Sequence, residues 1–178
     1  MHMAIDAGAV DIRLFNADDD VSSLTALLHR AYATLGAKGL KFKAVDQSDD
    51  VTRHRMAAGE CYVALAGTTL VGTVLLIPPQ RTAGTPWLDR PDVASLHQLG
   101  VEPSMQRSGL GARLMAWAEA RAAACGAKEI ALDTAEPATH LQAWYASRGY
   151  RPIEFAQWAH TNYRSIIMSK ALDAPIST

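Results

Sequence analysis

The segment Leu99-Gly100-Val101-Glu102-Pro103-Ser104-Met105-Gln106-Arg107-Ser108-Gly109-Leu110-Gly111-Ala112 constrains the fold more than any other. The run from Val93 to Val101 reads as a strand, and Pro103 sits just past its end. From Gly109 to Cys125, Leu110, Leu114, Trp117, Ala118, Ala122 and Cys125 recur at helical spacing, with Gly126 placed to end the helix. A strand must therefore pass through a loop holding two closely spaced glycines and straight into a long helix. Glycines let backbone approach a ligand closely. The unpaired N–H groups of the first helical turn, at the positive end of the helix dipole, suit a phosphate or pyrophosphate. Arg107 adds a cation beside them. The plainer alternative is that the glycines only permit a tight turn and close packing.

Around this segment the chain reads as β, two helices, three strands, then α-β-α-β-β. Asp11 to Phe15 alternates as a first strand. Asp18 to Asp20 cap a helix through Leu24, Leu27, Leu28 and Ala31, which Gly36 and Gly39 interrupt. A polar helix follows over Ser48 to Ala58, and Cys61 to Ala66 with Thr69 to Ile77 forms a hairpin about Gly67-Thr68. Gln80 to Asp92 is an exposed loop. Glu129 to Asp133 is a strand and Pro137 to Arg148 a helix. Pro152 to Lys170 holds two strands, with Trp158 and His160 on the first. The fold class is mixed α/β, of the α+β kind. The 178 residues, 49% hydrophobic and 20% charged, suit one domain over 1–178 that needs no metal or disulfide staple. About 1–10 and 173–178 are expected as flexible ends.

A net charge of -1 provides no bulk field for nucleic acid or anionic lipid. No apolar stretch approaches the ~20 residues of a membrane span, and the start Met1-His2-Met3-Ala4-Ile5-Asp6 lacks the pattern of a signal peptide. Cys61 and Cys125 lie far apart in apolar patterns, with no Cys/His set at zinc spacing. They read as buried free thiols, which gives a cytoplasmic expectation with no metal.

A Walker loop would need Gly-Lys-Ser/Thr where Gly111-Ala112-Arg113 stands. A dinucleotide fingerprint would use Asp133 as its ribose acid, but its third glycine position is Leu114 and its glycines follow the strand too late. The third possibility is a family resemblance. Gln106-x-x-Gly109-x-Gly111, between a strand ending Leu99-x-Val101 and a long helix, resembles the acyl-CoA pyrophosphate loop of the GNAT superfamily of N-acyltransferases. Ala143-Trp144-Tyr145-Ala146-Ser147-Arg148-Gly149-Tyr150 resembles that family's second signature, an aromatic pair on a helix closing with Gly-aromatic.

The resemblance implies a mostly antiparallel central sheet of about seven strands with about four helices, splayed near Val101 and Leu132. It implies acetyl-CoA as acyl-donor cosubstrate. The backbone from Leu99 through Gly100 to Val101 would meet the pantetheine and the thioester carbonyl. Gln106, Arg107, Ser108, Gly109, Leu110, Gly111 and Ala112 would cradle the pyrophosphate. The implied activity is N-acetyl transfer to a primary amine of a small molecule or peptide by direct attack, with no covalent enzyme intermediate. The alternative is a catalytically silent acyl-CoA-binding or regulatory module. Pairing of two copies stays open.

Such transfer needs a proton donor for the leaving thiolate and an acceptor for the amine proton. Tyr145 matches the family's thiolate-protonating tyrosine. His97 is similar in place to the strand histidine of members resembling serotonin N-acetyltransferase, and an ordinary imidazole titrates near 6.5. Glu60, Glu102, Glu154 and His160 are the other candidate bases, Glu102 reading as a solvated loop charge. Trp158 and His160 are expected to shape the acceptor pocket. Tyr32, Phe42 and Trp87 are pocket or core; His29 and His54 lie on the two early helices, which the resemblance implies wall the acceptor site unless they are simply solvated, and His140, beside the second signature, is near enough to approach the cofactor. The basic stretch Lys38 to Lys43 either attracts an acidic substrate or is solvated.

Overall fold

In the computed structural model, which describes residues 9–173, every apolar run read from the sequence becomes a strand of one sheet. The strands are β1 (Val10–Leu14), β2 (Glu60–Ala66), β3 (Thr69–Ile77), β4 (Val93–Val101), β5 (Glu129–Ala135), β6 (Arg151–Ala156) and β7 (Ser165–Ala171). Their order is β1-β2-β3-β4-β5-β7-β6, and only β4 with β5 is a parallel pair. The helices are α1 (Val21–Ala37), α2 (Asp49–Met56), α3 (Leu110–Ala124) and α4 (Thr139–Ser147). This is the mixed α/β, mostly antiparallel architecture expected. The ends expected to be flexible fall largely outside the described residues, although Val10 opens β1 as a buried residue.

Local chemistry starts the first two helices where the sequence suggested. The Asp20 carboxylate accepts from the backbone N–H of Ser22 and Ser23, and the Ser48 hydroxyl accepts from Val51. Burial of Leu24, Leu27 and Leu28 outweighs the cost of about 1 kcal/mol for a helical glycine, so α1 runs through Gly36 instead of stopping there. Three other expectations are corrected. Trp158 and His160 lie in the β6–β7 loop, beyond the end of β6, because the Thr161 hydroxyl and Gln157 amide engage the carbonyls of Trp158 and Tyr163. Trp117 stays 44% exposed, its ring meeting Tyr62 edge-on. Cys61 is buried, but Cys125 is only half-buried at the end of α3; both are free.

The sheet separates two apolar layers. Leu110, Leu114 and Met115 of α3 pack on Val74, Leu76, Leu96, Ile130 and Leu132. On the other face Leu24 and Leu27 of α1 pack on Val63 and Leu75. Two irregularities in β4 shape everything near the glycine loop. Its pairing with β5 runs through Val93–Glu129, Ala94–Ile130 and Ser95–Ala131 and then ends, so the strands part. Opposite β3, the register passes from Leu75–His97 to Thr73–Gly100, so β4 carries one extra residue. Gln98 sits in this bulge at φ 51. The bulge leaves Leu99 and Val101 on the α3 face with Ala94 and Leu96, and turns Gly100 towards Leu28 and Ala31 of α1.

Gly59 joins α2 to β2 and lies directly against β3. A Cβ there would fall 2.1 Å from the Leu76 carbonyl oxygen, a backbone atom that cannot turn aside. Gly59→Ala is expected to cost about 1–3 kcal/mol by forcing the strands apart, seen as a Tm lower by several degrees in thermal denaturation.

Candidate active site

Where β4 and β5 part, a cavity of about 830 Å³ opens through the sheet. One end meets the glycine loop and α4, and the other is walled by α1, α2 and the β6–β7 loop. The cavity therefore joins the two signature segments to side chains that the sequence did not link to them.

At the glycine-loop end, Gly109 caps α3 at φ 87, a left-handed conformation that favours glycine, and Arg107 adopts φ 64 nearby. Arg113 N–H makes the first helical bond, to Gly109 O. The backbone N–H groups of Arg107, Gly109, Gly111 and Ala112 have no protein acceptor among the described residues. Gln106, Arg107, Gly109, Gly111 and Ala112 line the cavity. Leu110 instead buries its side chain in the core, and the Ser108 hydroxyl donates to the Met105 carbonyl. The Gln106 amide donates to Val101 O at 3.4 Å.

Along β4, Leu99, Gly100 and Val101 line the gap. The Tyr32 hydroxyl donates to Leu99 O at 2.9 Å, which ties α1 to the bulge and occupies one lone pair of that carbonyl. Burial pushes the Tyr32 phenol up to about 12.

His97 lines the same gap, with its Nε2 2.8 Å from Ser95 Oγ. Ser95 Oγ lies 3.1 Å from Thr82 Oγ1, whose hydroxyl has the carbonyls of Ile77 and Pro78 as acceptors. Thr82 donating to a carbonyl leaves Ser95 to donate to Thr82 and His97 Nε2–H to donate to Ser95. This polarity assigns the tautomer and leaves Nδ1 as the acceptor. Burial pushes the imidazole down to about 4; Asp133 opposes that fall and Arg55 reinforces it. His97 is thus neutral throughout the physiological range.

Tyr145 lies on α4 beside Trp144, with ring centroids 5.3 Å apart, and its hydroxyl has no protein hydrogen-bond partner among the described residues. Burial, then Tyr32 and Asp133, raise its phenol above the ordinary range.

The far end holds Arg55 of α2 and Asp133 of β5, neither singled out there by the sequence reading. Arg55 Nη1 donates to Gln47 Oε1 at 2.8 Å. Gln47 Nε2 in turn reaches Gln98 Oε1 and Thr52 Oγ1, each at 2.8 Å. Trp158 Nε1 donates to Asp133 Oδ2 at 3.0 Å. Trp158 and His160 do line this end, and burial lowers His160. Asn162 bridges two segments, donating to Gly39 O at 2.8 Å and accepting from Lys41 N–H at 3.0 Å, so the Lys38–Lys43 stretch is fastened to the β6–β7 loop. Phe42 stacks between Tyr32 and Tyr163, at 5.7 and 5.1 Å. A charged residue inside an otherwise apolar strand was the available signal for Asp133. Nothing local marks Arg55, one of three basic residues in the last turn of α2.

The remaining candidates fall elsewhere. Glu60 is held by Arg121 and Tyr62, and the arginine keeps its carboxyl below the usual range. Glu102, expected as a solvated charge, makes a two-nitrogen ion pair with Arg30. Glu154 accepts from Trp87 N–H. Trp87 lies beneath Arg90 in a cluster shared with Leu88 and Trp158 of the cavity wall, while His29 contacts the Gln47 carbonyl. His54 and His140 line the cavity. Among the described residues no group of His, Cys, Asp and Glu could hold a metal, and no helix is long and apolar enough to cross a membrane.

Comparison with known proteins gives the same grouping. An uncharacterized N-acetyltransferase of Bacillus subtilis, YvbK, is 29% identical over 60% of this chain, and the match spans 62% of that relative's length. The S-(2-succino)cysteine N-acetyltransferase of the same organism is 25% identical over 74% of the chain and 78% of its own. The ribosomal-protein-S18-alanine N-acetyltransferase of Escherichia coli shares the fold with a TM-score of 0.69 at 16% identity, covering 95% of this chain and 98% of its own. A GNAT family acetyltransferase from Elizabethkingia anophelis, crystallised with acetyl-CoA bound, gives 0.66 at 16% identity over 92% and 99%. The model of the Acetyltransferase (GNAT) family matches residues 25–150, well over half of the sequence. The chain belongs to the GNAT family of acetyltransferases.

Proposed function

We propose that this protein transfers an acetyl group from acetyl-CoA to a primary amine of a small molecule or peptide. The observation that carries the reading is a single cavity joining a row of unpaired backbone N–H groups to a phenol without a protein partner. The donor set suits acetyl-CoA. The N–H groups of Arg107, Gly109, Gly111 and Ala112, at the positive end of α3, would hold the pyrophosphate. The backbone of Leu99 and Val101, in a gap walled by Leu96 and Leu132, would take the pantetheine arm. Bound there, acetyl-CoA supplies an acetyl thioester open to direct attack by a neutral amine.

Tyr145 holds its proton until the thiolate leaves. Its raised pKa makes it a weaker acid than a solvated phenol, but the same dry surroundings raise the proton affinity of the thiolate. His97 offers Nδ1 to the incoming amine. An imidazole titrating near 4 does not strip a proton from an alkylammonium ion, so the amine arrives neutral. Its nitrogen becomes more acidic as it bonds to the acyl carbon, and a weak base then suffices.

Three outcomes test this reading. Gly111→Val places its Cβ in ordinary contact, 3.6 Å from Trp144 and 3.7 Å from Val101, so its methyl groups enter the cavity. Acetyl-CoA affinity by calorimetry should fall about tenfold or more, ~1.4 kcal/mol, with the fold intact; unchanged affinity removes the pyrophosphate assignment. Tyr145→Phe should keep Tm and acetyl-CoA affinity while lowering single-turnover thiol release, across a panel of amines, by about ten- to a thousandfold. Full activity would make Tyr145 a packing residue.

His97 gives the third outcome, through pH. Its folded pKa of about 4 lies below the ordinary value, so between roughly pH 6.5 and 4 the unfolded chain binds a proton that the folded chain refuses. Stability from this group is complete above that window and is lost as pH falls through it, by about 3 kcal/mol. His97→Gln should flatten this part of the stability profile in denaturant titrations. The wild-type kcat/KM profile should lack a histidine inflection near 6.5; finding one there, abolished in His97→Gln, would restore an ordinary general base.

A further inference from the structure

Arg55 is a cation lining the cavity with no carboxylate within ion-pair distance among the described residues. Its hydrogen-bond partner is the neutral amide of Gln47, and it forms no ion pair among the described residues. Seven other arginines, at 13, 30, 53, 90, 121, 151 and 164, each have an Asp or Glu within ion-pair distance. Arg55 is also half-buried, and burial pulls its pKa down. A half-buried guanidinium whose remaining donors have no protein acceptor among the described residues is open to an incoming anion.

Its position is built. Gln47 accepts from Arg55 while its own NH₂ is shared between Gln98 and Thr52, and Thr52 Oγ1 is 2.7 Å from Thr25 Oγ1. The chain of contacts runs from the β4 bulge through a buried glutamine to the guanidinium. The same cavity holds one carboxylate, Asp133, oriented by Trp158 and acting electrostatically on both His97 and Arg55. A fixed cation and a fixed anion thus face one space without neutralising each other. Lys43 lines the same end, so with Arg55 the cations there outnumber the one carboxylate.

We propose that the acceptor is an amine carrying its own carboxylate, an amino acid or a close derivative, with the carboxylate on Arg55 and the amine turned to Asp133 and His97. The proposal rests on the acetyltransferase reading and narrows its substrate class. Arg55 presents a planar fork suited to two-point contact with a carboxylate. Asp133 draws the ammonium form to the mouth of the cavity, the ammonium gives up its proton to bulk water or buffer there, and His97 Nδ1 receives the neutral amine. A polyamine or other polycation would instead set like charge against Arg55 and Lys43 in a poorly solvated space, which is unfavourable.

The test assays the twenty amino acids, each beside its primary amide, for thiol release from acetyl-CoA. Acetyl-CoA binding is measured separately by calorimetry. The acid form of the best acceptor should exceed its amide in kcat/KM by about ten- to a hundredfold. Arg55→Gln should bring that ratio close to one, mainly through KM for the acid, and Arg55→Lys should retain part of it. Melting curves check that both variants fold. An amide used as well as its acid, a ratio that survives Arg55→Gln, or turnover confined to amines without a carboxylate overturns the proposal while leaving the acetyltransferase reading intact. Failure of acetyl-CoA to bind removes both.

Discussion

The architecture of the site depends on the loss of pairing between two parallel strands. From Val93 to Ser95, β4 bonds β5; beyond that the strands diverge and each leaves backbone polar groups facing a gap. Open backbone inside a sheet is costly unless ligands or side chains meet it. Here the protein answers in part from its own side chains. The Tyr32 hydroxyl takes the Leu99 carbonyl, the Gln106 amide approaches that of Val101, and the bulge at Gln98 turns its side chain towards Gln47. What remains is a passage through the sheet, with unpaired backbone N–H groups at one mouth and mixed charge at the other.

The passage also sets the electrostatics of every titratable group along it. His97, Tyr32 and Tyr145 shift chiefly through burial, each towards its neutral form. Neutral groups suit a reaction in which a neutral amine meets a neutral thioester and charge appears only in passing. Arg55 and Asp133 lie at the far mouth, where a polar acceptor would enter. On the proposed function, chemistry would occupy the middle of the passage and recognition its ends.

The fold was legible because its signals are local. Alternation in β1 and apolar, β-branched runs elsewhere gave the strands, Asp20 and Ser48 marked helix starts, and the two glycine-containing signatures marked one end of the cavity. Errors arose where tertiary packing or loop chemistry decides. Burial of the α1 leucines carried the helix through Gly36, and side-chain hydrogen bonds ended β6 before Trp158. The acceptor end was harder to read because its residues come from positions 32 to 163, and no spacing rule joins Arg55 to Asp133. Gln98 illustrates the limit. In sequence it is one polar residue in a strand, whereas its importance comes from a positive φ and a partner 51 positions away.

Asn162 has a consequence for how such a site can be altered. Its amide joins Gly39 and Lys41 to a loop more than a hundred residues downstream, so one rim of the passage is assembled from two distant pieces of chain. The partners are backbone atoms, so a change of length in either piece would carry them out of reach of the amide. Recombination between relatives that swapped only the early helices, or only the last hairpin, would bring mismatched halves together. The two segments form one structural unit, and a graft that moves both together keeps the seam.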